Sequence, residues 1–293
     1  MVEADNLASA SAYRTVREAA ARLKEAGVPE PAASAEILMA ELLDARRGDA
    51  VRLKEPLTGE QAATYEGWIS RRLNREPVQR VLGYTYFRNL KLDIDEHSLI
   101  PRPDTESVVS VALTRIDERD GSCRVLDMGT GSGTIAVAIA QERPRCEVHA
   151  SDVSEGALDV ARSNAKSAGV EVRFHHADIA AGLDVLYGNV DVLVSNPPYI
   201  ASAEIEGLSS EVRDWDPHGA LDGGPDGLGF YRRIFKETPP LLTEGADVVL
   251  EIGHDQDRSV LELGRSFGFS PVGTTSDLTG VPRVALLMWG AGT

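Results

Sequence analysis

Residues 123–140 constrain the fold more than any other stretch. Cys123-Arg124-Val125-Leu126-Asp127-Met128 reads as a buried strand, Gly129-Thr130-Gly131-Ser132-Gly133 as a tight turn, and residues 134–140 as an apolar helix. Glycines in such a turn let the backbone approach a ligand closely. Strand, glycine-rich turn and helix in that order open the nucleotide-binding half of an α/β sheet. Three glycines at alternate positions depart from G-x-G-x-x-G, so the turn suits a ligand without a pyrophosphate at least as well as a dinucleotide.

Downstream the pattern repeats. Strands are expected at 124–128, 147–151, 171–175, 191–195 and 247–252, with helices near 105–116, 134–141, 155–168, 229–240 and 257–267. That alternation predicts a parallel sheet with helices on both faces. Residues 271–275 and 283–289 leave no room for a helix between them, so they are expected to add an antiparallel hairpin at the sheet edge. Ligands of such sheets gather outside the carboxyl ends of the strands. One crevice should therefore receive Gly129, Thr130, Gly131, Ser132 and Gly133 after the first strand, Asp152 after the second, Asp178 and Ile179 after the third and Asn196 to Tyr199 after the fourth. A carboxylate at Asp152 would accept from ribose hydroxyls; the alternative is a cap on the helix at 155–168, which Asp152 or Ser154 could supply. Asp178 and Ile179 are placed to meet an adenine, the acid near its amino group and the apolar side chain against its face; a loop acid is the structural alternative. At this point the ligand is a dinucleotide or S-adenosylmethionine.

At 293 residues the chain exceeds the usual single domain. We expect a helical bundle over 1–80, a hairpin and linker over 81–104 and the ligand-binding α/β domain over 105–293. Val16, Ala19, Leu23 and Ala26 share one helical face, and Ala35, Leu38 and Leu42 another. Thr58 and Gln61 have capping-box spacing ahead of Ala62, Tyr65, Ile69 and Leu73. Arg71, Arg72 and Arg75 are expected on the solvated face of that third helix. Two β-like runs, 84–87 and 90–94, flank Arg88-Asn89, and Ile100-Pro101-Arg102-Pro103 is extended because each proline disfavours helix in the residue before it.

Forty-six acids against thirty bases give a formal charge of −16, which opposes a broad footprint on duplex nucleic acid and favours a basic protein partner. No run of eighteen apolar residues and no secretory signal pattern is visible, so no membrane span is expected and a cytoplasmic enzyme is the default. Cys123 and Cys146 have no metal-ligand spacing; no disulfide framework and no metal are expected.

Asn196-Pro197-Pro198-Tyr199 follows the apolar run Val192-Leu193-Val194-Ser195. Both prolines give up their N–H groups and keep their carbonyls, Asn196 donates and accepts, and Tyr199 offers an aromatic face. The four residues suit a planar, nitrogen-bearing group. With a methyl donor at the remaining edge, the site would methylate nitrogen.

Phe87-Arg88-Asn89-Leu90, residues 99–106 (Leu-Ile-Pro-Arg-Pro-Asp-Thr-Glu), the glycine turn, Val194 to Ile200, Glu211-Val212-Arg213-Asp214, Asp222-Gly223-Gly224-Pro225-Asp226-Gly227 and Asp277-Leu278-Thr279-Gly280-Val281-Pro282-Arg283 together resemble the HemK/PrmC family of peptide-chain-release-factor glutamine methyltransferases over essentially the whole chain. The resemblance implies a Rossmann-like S-adenosylmethionine-dependent methyltransferase fold, with a mostly parallel seven-stranded sheet, an antiparallel edge and a small N-terminal helical bundle. It implies S-adenosyl-L-methionine as cofactor, bound by residues 129–133, Asp152, Asp178, Ile179 and Asn196. It also implies methylation of the glutamine amide nitrogen in the Gly-Gly-Gln loop of a release factor. Asn196, Pro197, Pro198 and Tyr199 would bind that amide, with Asn196, Pro197 and Tyr199 taking part in the transfer, and the helical domain would dock the protein substrate. A monomer without stable nucleic-acid contacts is expected. The competing readings are a ribosomal-protein glutamine methyltransferase, a nucleic-acid adenine-N6 methyltransferase acting on a flipped base, and a non-catalytic S-adenosylmethionine-binding protein.

Overall fold

The computed structural model describes residues 11–50, 52, 56–120, 122–277 and 279–290. Leu278 of the closing signature and the outermost parts of the expected 1–80 and 105–293 ranges lie outside the described residues. The chain divides into two units. Residues through Gly83 together with Ser210–Trp215 form the smaller, and Tyr84–Ser209 with the chain from Asp216 onward the larger.

In the smaller unit, α1 (Ala12–Glu25), α2 (Pro31–Leu42) and α3 (Gly59–Leu73) turn their apolar stripes inward. Val16, Ala19, Leu23, Ala35, Leu38, Ala62, Tyr65 and Ile69 are all buried. Thr58 starts α3 with a reciprocal cap: its hydroxyl accepts from the Gln61 N–H (3.2 Å) and its own N–H donates to the Gln61 side chain (2.9 Å). The buried Tyr65 hydroxyl donates to the Ala35 carbonyl at 2.9 Å. The arginines expected on one solvated face of α3 divide: Arg71 is exposed, whereas Arg72 is buried and Arg75 lies beyond the helix end and is half-buried. Arg72 is only 4 % exposed; it pairs with Glu211 at 3.1 Å, and Arg75 donates to the other oxygen of Glu211 at 3.0 Å. Glu211 comes from far along the chain, so local periodicity could not reveal the partner that permits a buried guanidinium.

In the larger unit, β1 (Tyr84–Phe87) and β2 (Leu90–Asp93) form an antiparallel hairpin. There follow α4 (Thr105–Asp117), β3 (Arg124–Met128), α5 (Thr134–Glu142), β4 (Glu147–Asp152), α6 (Glu155–Ala168), β5 (Arg173–His176), β6 (Val190–Ser195), α7 (Gly229–Glu237), β7 (Leu242–Glu251), α8 (Asp257–Ser266), β8 (Phe269–Ser276) and β9 (Pro282–Trp289). The seven-stranded sheet has the order β5-β4-β3-β6-β7-β9-β8, parallel except where β9 runs against β7 and β8. Strand order reverses at β3, the switch point at which such sheets open a crevice.

Period-two alternation sorts the strand residues onto two faces. Val125, Val192, Val194 and Val249 pack with α4 and α5, whereas Leu126, Leu193, Val248 and Leu250 pack with α7 and α8. Both faces are covered, which is why these strands read as unbroken apolar runs. Two boundaries differ from expectation by three residues or more. The helix expected over 229–240 stops at Glu237, because Pro239 and Pro240 cannot continue its hydrogen bonding. The strand expected over 247–252 begins at Leu242, where pairing with Val190 recruits the polar segment Thr243-Glu244-Gly245 across a register shift.

Candidate functional site

The carboxyl ends of β3, β4 and β6 open into a cavity of about 400 Å³, in the range of small-molecule sites. Gly129, Thr130, Gly131 and Ser132 form one wall. The glycines of this turn sit at left-handed φ of 70°, 55° and 81°, which a side chain would strain. Gly133 is behind the wall rather than on it: a Cβ there would stand 3.1 Å from the Ala161 backbone, so its role is to seat α5 against α6.

Asp127 fixes this turn from beneath. One oxygen accepts from the Thr130 hydroxyl (2.6 Å) and the Ala136 N–H (3.0 Å), tying strand end, turn and helix start together. Its other oxygen is buried without a hydrogen-bond partner among the described residues. Burial pushes this carboxyl up to about 7 against the pull of those two bonds. Asp152, on the cavity wall, accepts from the Gly131 N–H (2.8 Å) and the Ser154 N–H (2.9 Å). It does not cap α6; Ser154 does, accepting from Ala157.

Asp178 and Ile179 also line the cavity. Arg233 of α7 donates to Asp178 at 2.8 Å. Ile179 is 8 % exposed yet holds a φ of 53°. A β-branched residue there is a true outlier, maintained only where its surroundings over-determine it.

Asn196, Pro197 and Pro198 complete the wall. The Asn196 side-chain nitrogen donates to the Thr105 hydroxyl at 3.2 Å, and that hydroxyl donates to Glu251 at 2.7 Å. Tyr199 is half-buried, and its hydroxyl reaches the other oxygen of Glu251 at 3.3 Å. Glu251 is 1 % exposed; burial, aided by Asp104, pushes its carboxyl up to about 7, opposed by its two hydrogen bonds and by Arg283. The same burial, reinforced by the Glu251 charge, holds the Tyr199 phenol well above its usual range.

The 222–229 strap holds the Pro198-Tyr199 backbone in place. A Cβ on Gly223 would come within 2.9 Å of the Pro198 carbonyl oxygen. On Gly227, at φ 71°, it would overlap the Tyr199 carbonyl oxygen and approach the Gln256 amide nitrogen at 2.7 Å. That amide donates to the same Tyr199 oxygen at 2.9 Å.

Asp104, at the entry to α4, makes no cap; it pairs with Arg283 at 3.2 Å. Sequence reasoning gave no individual role to Thr105, Glu251, Arg283 or Gln256. For Glu251 a signal existed: an acid ending the apolar run Val248-Val249-Leu250 at the ligand-facing end of a strand.

The PrmC N-terminal domain family matches residues 15–83, and the Methyltransferase small domain family residues 107–210. The chain is 39% identical over 267 residues to a release factor glutamine methyltransferase of Agrobacterium fabrum, covering 90% of this chain and 92% of that protein. It is 36% identical over 276 residues to one of Bacillus cereus, covering 93% and 97%. Among solved structures, the hMettl16 catalytic domain in complex with a MAT2A 3'UTR hairpin matches with a TM-score of 0.53 at 16% identity, covering 79% of this chain and 82% of that one, a likeness of fold.

Proposed function

The chain belongs to the release factor glutamine methyltransferase family, and from that premise we propose how its residues serve transfer of a methyl group from S-adenosylmethionine to the side-chain amide nitrogen of the Gly-Gly-Gln glutamine of a peptide chain release factor. The cavity fits the cofactor. Asp152 keeps a second lone pair on each oxygen for ribose hydroxyls after accepting its backbone N–H groups. The glycine turn admits close backbone approach, and Asp178 with Ile179 would hold the adenine. When bound, S-adenosylmethionine supplies a methyl group on a positively charged sulfur.

An amide nitrogen is a poor nucleophile because its lone pair is delocalised into the carbonyl. Asn196 Oδ1 and the Pro197 carbonyl oxygen accept the two N–H groups of the glutamine, orienting the nitrogen and favouring positive charge as it builds there. Neither needs to act as a strong base. The Tyr199 ring covers the amide, and the proton leaves to water after transfer, when it is most acidic. The helical unit, which matches the PrmC N-terminal domain, docks the release factor. No helix among the described residues is long and apolar enough to cross a membrane; we place the protein in the cytoplasm, acting as a monomer without stable nucleic-acid contacts.

One observation carries this reading. Asn196 lines the same cavity as the glycine turn, and its nitrogen is already committed to Thr105, which leaves its oxygen as the acceptor. The test is mass spectrometry of unmethylated release factor after incubation with this protein and S-adenosylmethionine. A methyl on the Gly-Gly-Gln glutamine is expected, falling by about a hundredfold or more in Asn196→Ala while cofactor affinity is retained. Unchanged turnover in that variant would overturn the role of Asn196. Methylation of ribosomal protein or of adenine instead would overturn the substrate.

A further inference from the structure

We propose that Thr105 and ionised Glu251 are positioning residues that set which end of the Asn196 side-chain amide faces the substrate. The inference rests on the role given to Asn196 above. An ionised carboxylate only accepts hydrogen bonds, so Thr105, 2.7 Å from one oxygen of Glu251, must spend its single proton on that bond. Its oxygen is then free only to accept, and the Asn196 group 3.2 Å away must be the NH2 end. The acceptor Oδ1 is thereby left for the substrate. An Asn196 amide turned the other way would present donors to an incoming NH2 group and repel it.

Protonated Glu251 can donate to Thr105. The hydroxyl can then donate to Asn196 Oδ1, and the chain of bonds runs in the opposite sense. The groups facing Glu251 come from every element around it. Tyr199 donates to its second oxygen, and Tyr231 of α7 donates to its backbone carbonyl at 2.8 Å. Arg283 of β9 opposes protonation and is shared with Asp104 and Asp277 at 3.2 and 3.1 Å; Asp104 favours protonation. Burial outweighs the rest and brings the carboxyl to about 7, close to neutrality.

Two readouts test the pair. In turnover, Thr105→Val should lower kcat by about tenfold or more with KM for release factor and cofactor affinity within about twofold, and Thr105→Ser should recover most of the loss. The wild-type kcat profile should carry an acid limb near pH 7 that Glu251→Gln lacks. In the second readout, which needs no protein substrate, the Asn196 side-chain amide is followed by NMR in asparagine-labelled protein bound to S-adenosylhomocysteine, its signal assigned by its loss in Asn196→Ala. The signal should titrate near neutrality in the wild type and not in Glu251→Gln. Full turnover in Thr105→Val, or the same titration surviving in Glu251→Gln, would overturn the proposal. A release factor that stays unmodified by the wild type while the amide titrates as expected would overturn the substrate reading and leave the pair standing.

Discussion

Glu251 and Asp127 are carboxyl groups that folding takes out of water, and each is pushed up to about 7 chiefly by that burial. The native state therefore holds both protons more tightly than the unfolded chain does. Their contribution to stability is full below the ordinary carboxylate range, declines as pH rises through that range, and is lost above about 7. If turnover needs ionised Glu251, the active form is the less stable one. Wild-type Tm should thus fall further between about pH 5 and about pH 8 than that of Glu251→Gln, by roughly 3 °C for each kcal/mol of proton linkage removed. Calorimetry across that range checks this; equal slopes would mean that Glu251 titrates normally. Asp152 shows how much a residue type leaves open. Its place after the second strand was legible, but that its bonds would go to Gly131 and to the residue before α6 depended on how turn and strand meet in space.

The strap at 222–229 shows the same limit for elements. Its glycines belong to a recognisable signature, yet nothing local says that their missing side chains make room for the carbonyls of Pro198 and Tyr199. Gly227→Ala adds a Cβ at φ 71°, with a conformational cost of about 1–2 kcal/mol, and drives it against the Tyr199 carbonyl oxygen and the Gln256 amide. We expect methyl transfer to drop by about tenfold or more with S-adenosylhomocysteine affinity nearly unchanged, since the glycine turn is untouched. Parallel loss of both, measured by calorimetry and single-turnover kinetics, would assign the strap a general folding role. Elements that bury a repeating pattern were legible almost to the residue: β3 spans Arg124–Met128 and α6 spans Glu155–Ala168 as expected. Where pairing rather than pattern sets the boundary, as at Leu242, the sequence was silent.

For the whole molecule, the alternation of strands and helices was enough to reach the sheet and its antiparallel edge, because each strand announces its two buried faces. The pairing of Arg72 and Arg75 with Glu211 was not accessible, being a contact between residues 139 and 136 positions apart. Glu211→Ala leaves the buried Arg72 charge without its carboxylate and should destabilise the protein by about 3 kcal/mol in chemical denaturation. A loss below about 0.5 kcal/mol would mean that the Ser34 hydroxyl and the carbonyls of Pro29 and Glu76 satisfy the guanidinium without the carboxylate. The helical unit is therefore stitched from two pieces of chain, and the thread passes from one unit to the other after Gly83, after Ser209 and again after Trp215. Exchanging the helical unit between relatives by a single junction would transplant Arg72 and Arg75 without their anion; a graft that carries the Ser210–Trp215 stitch along with it keeps the unit whole.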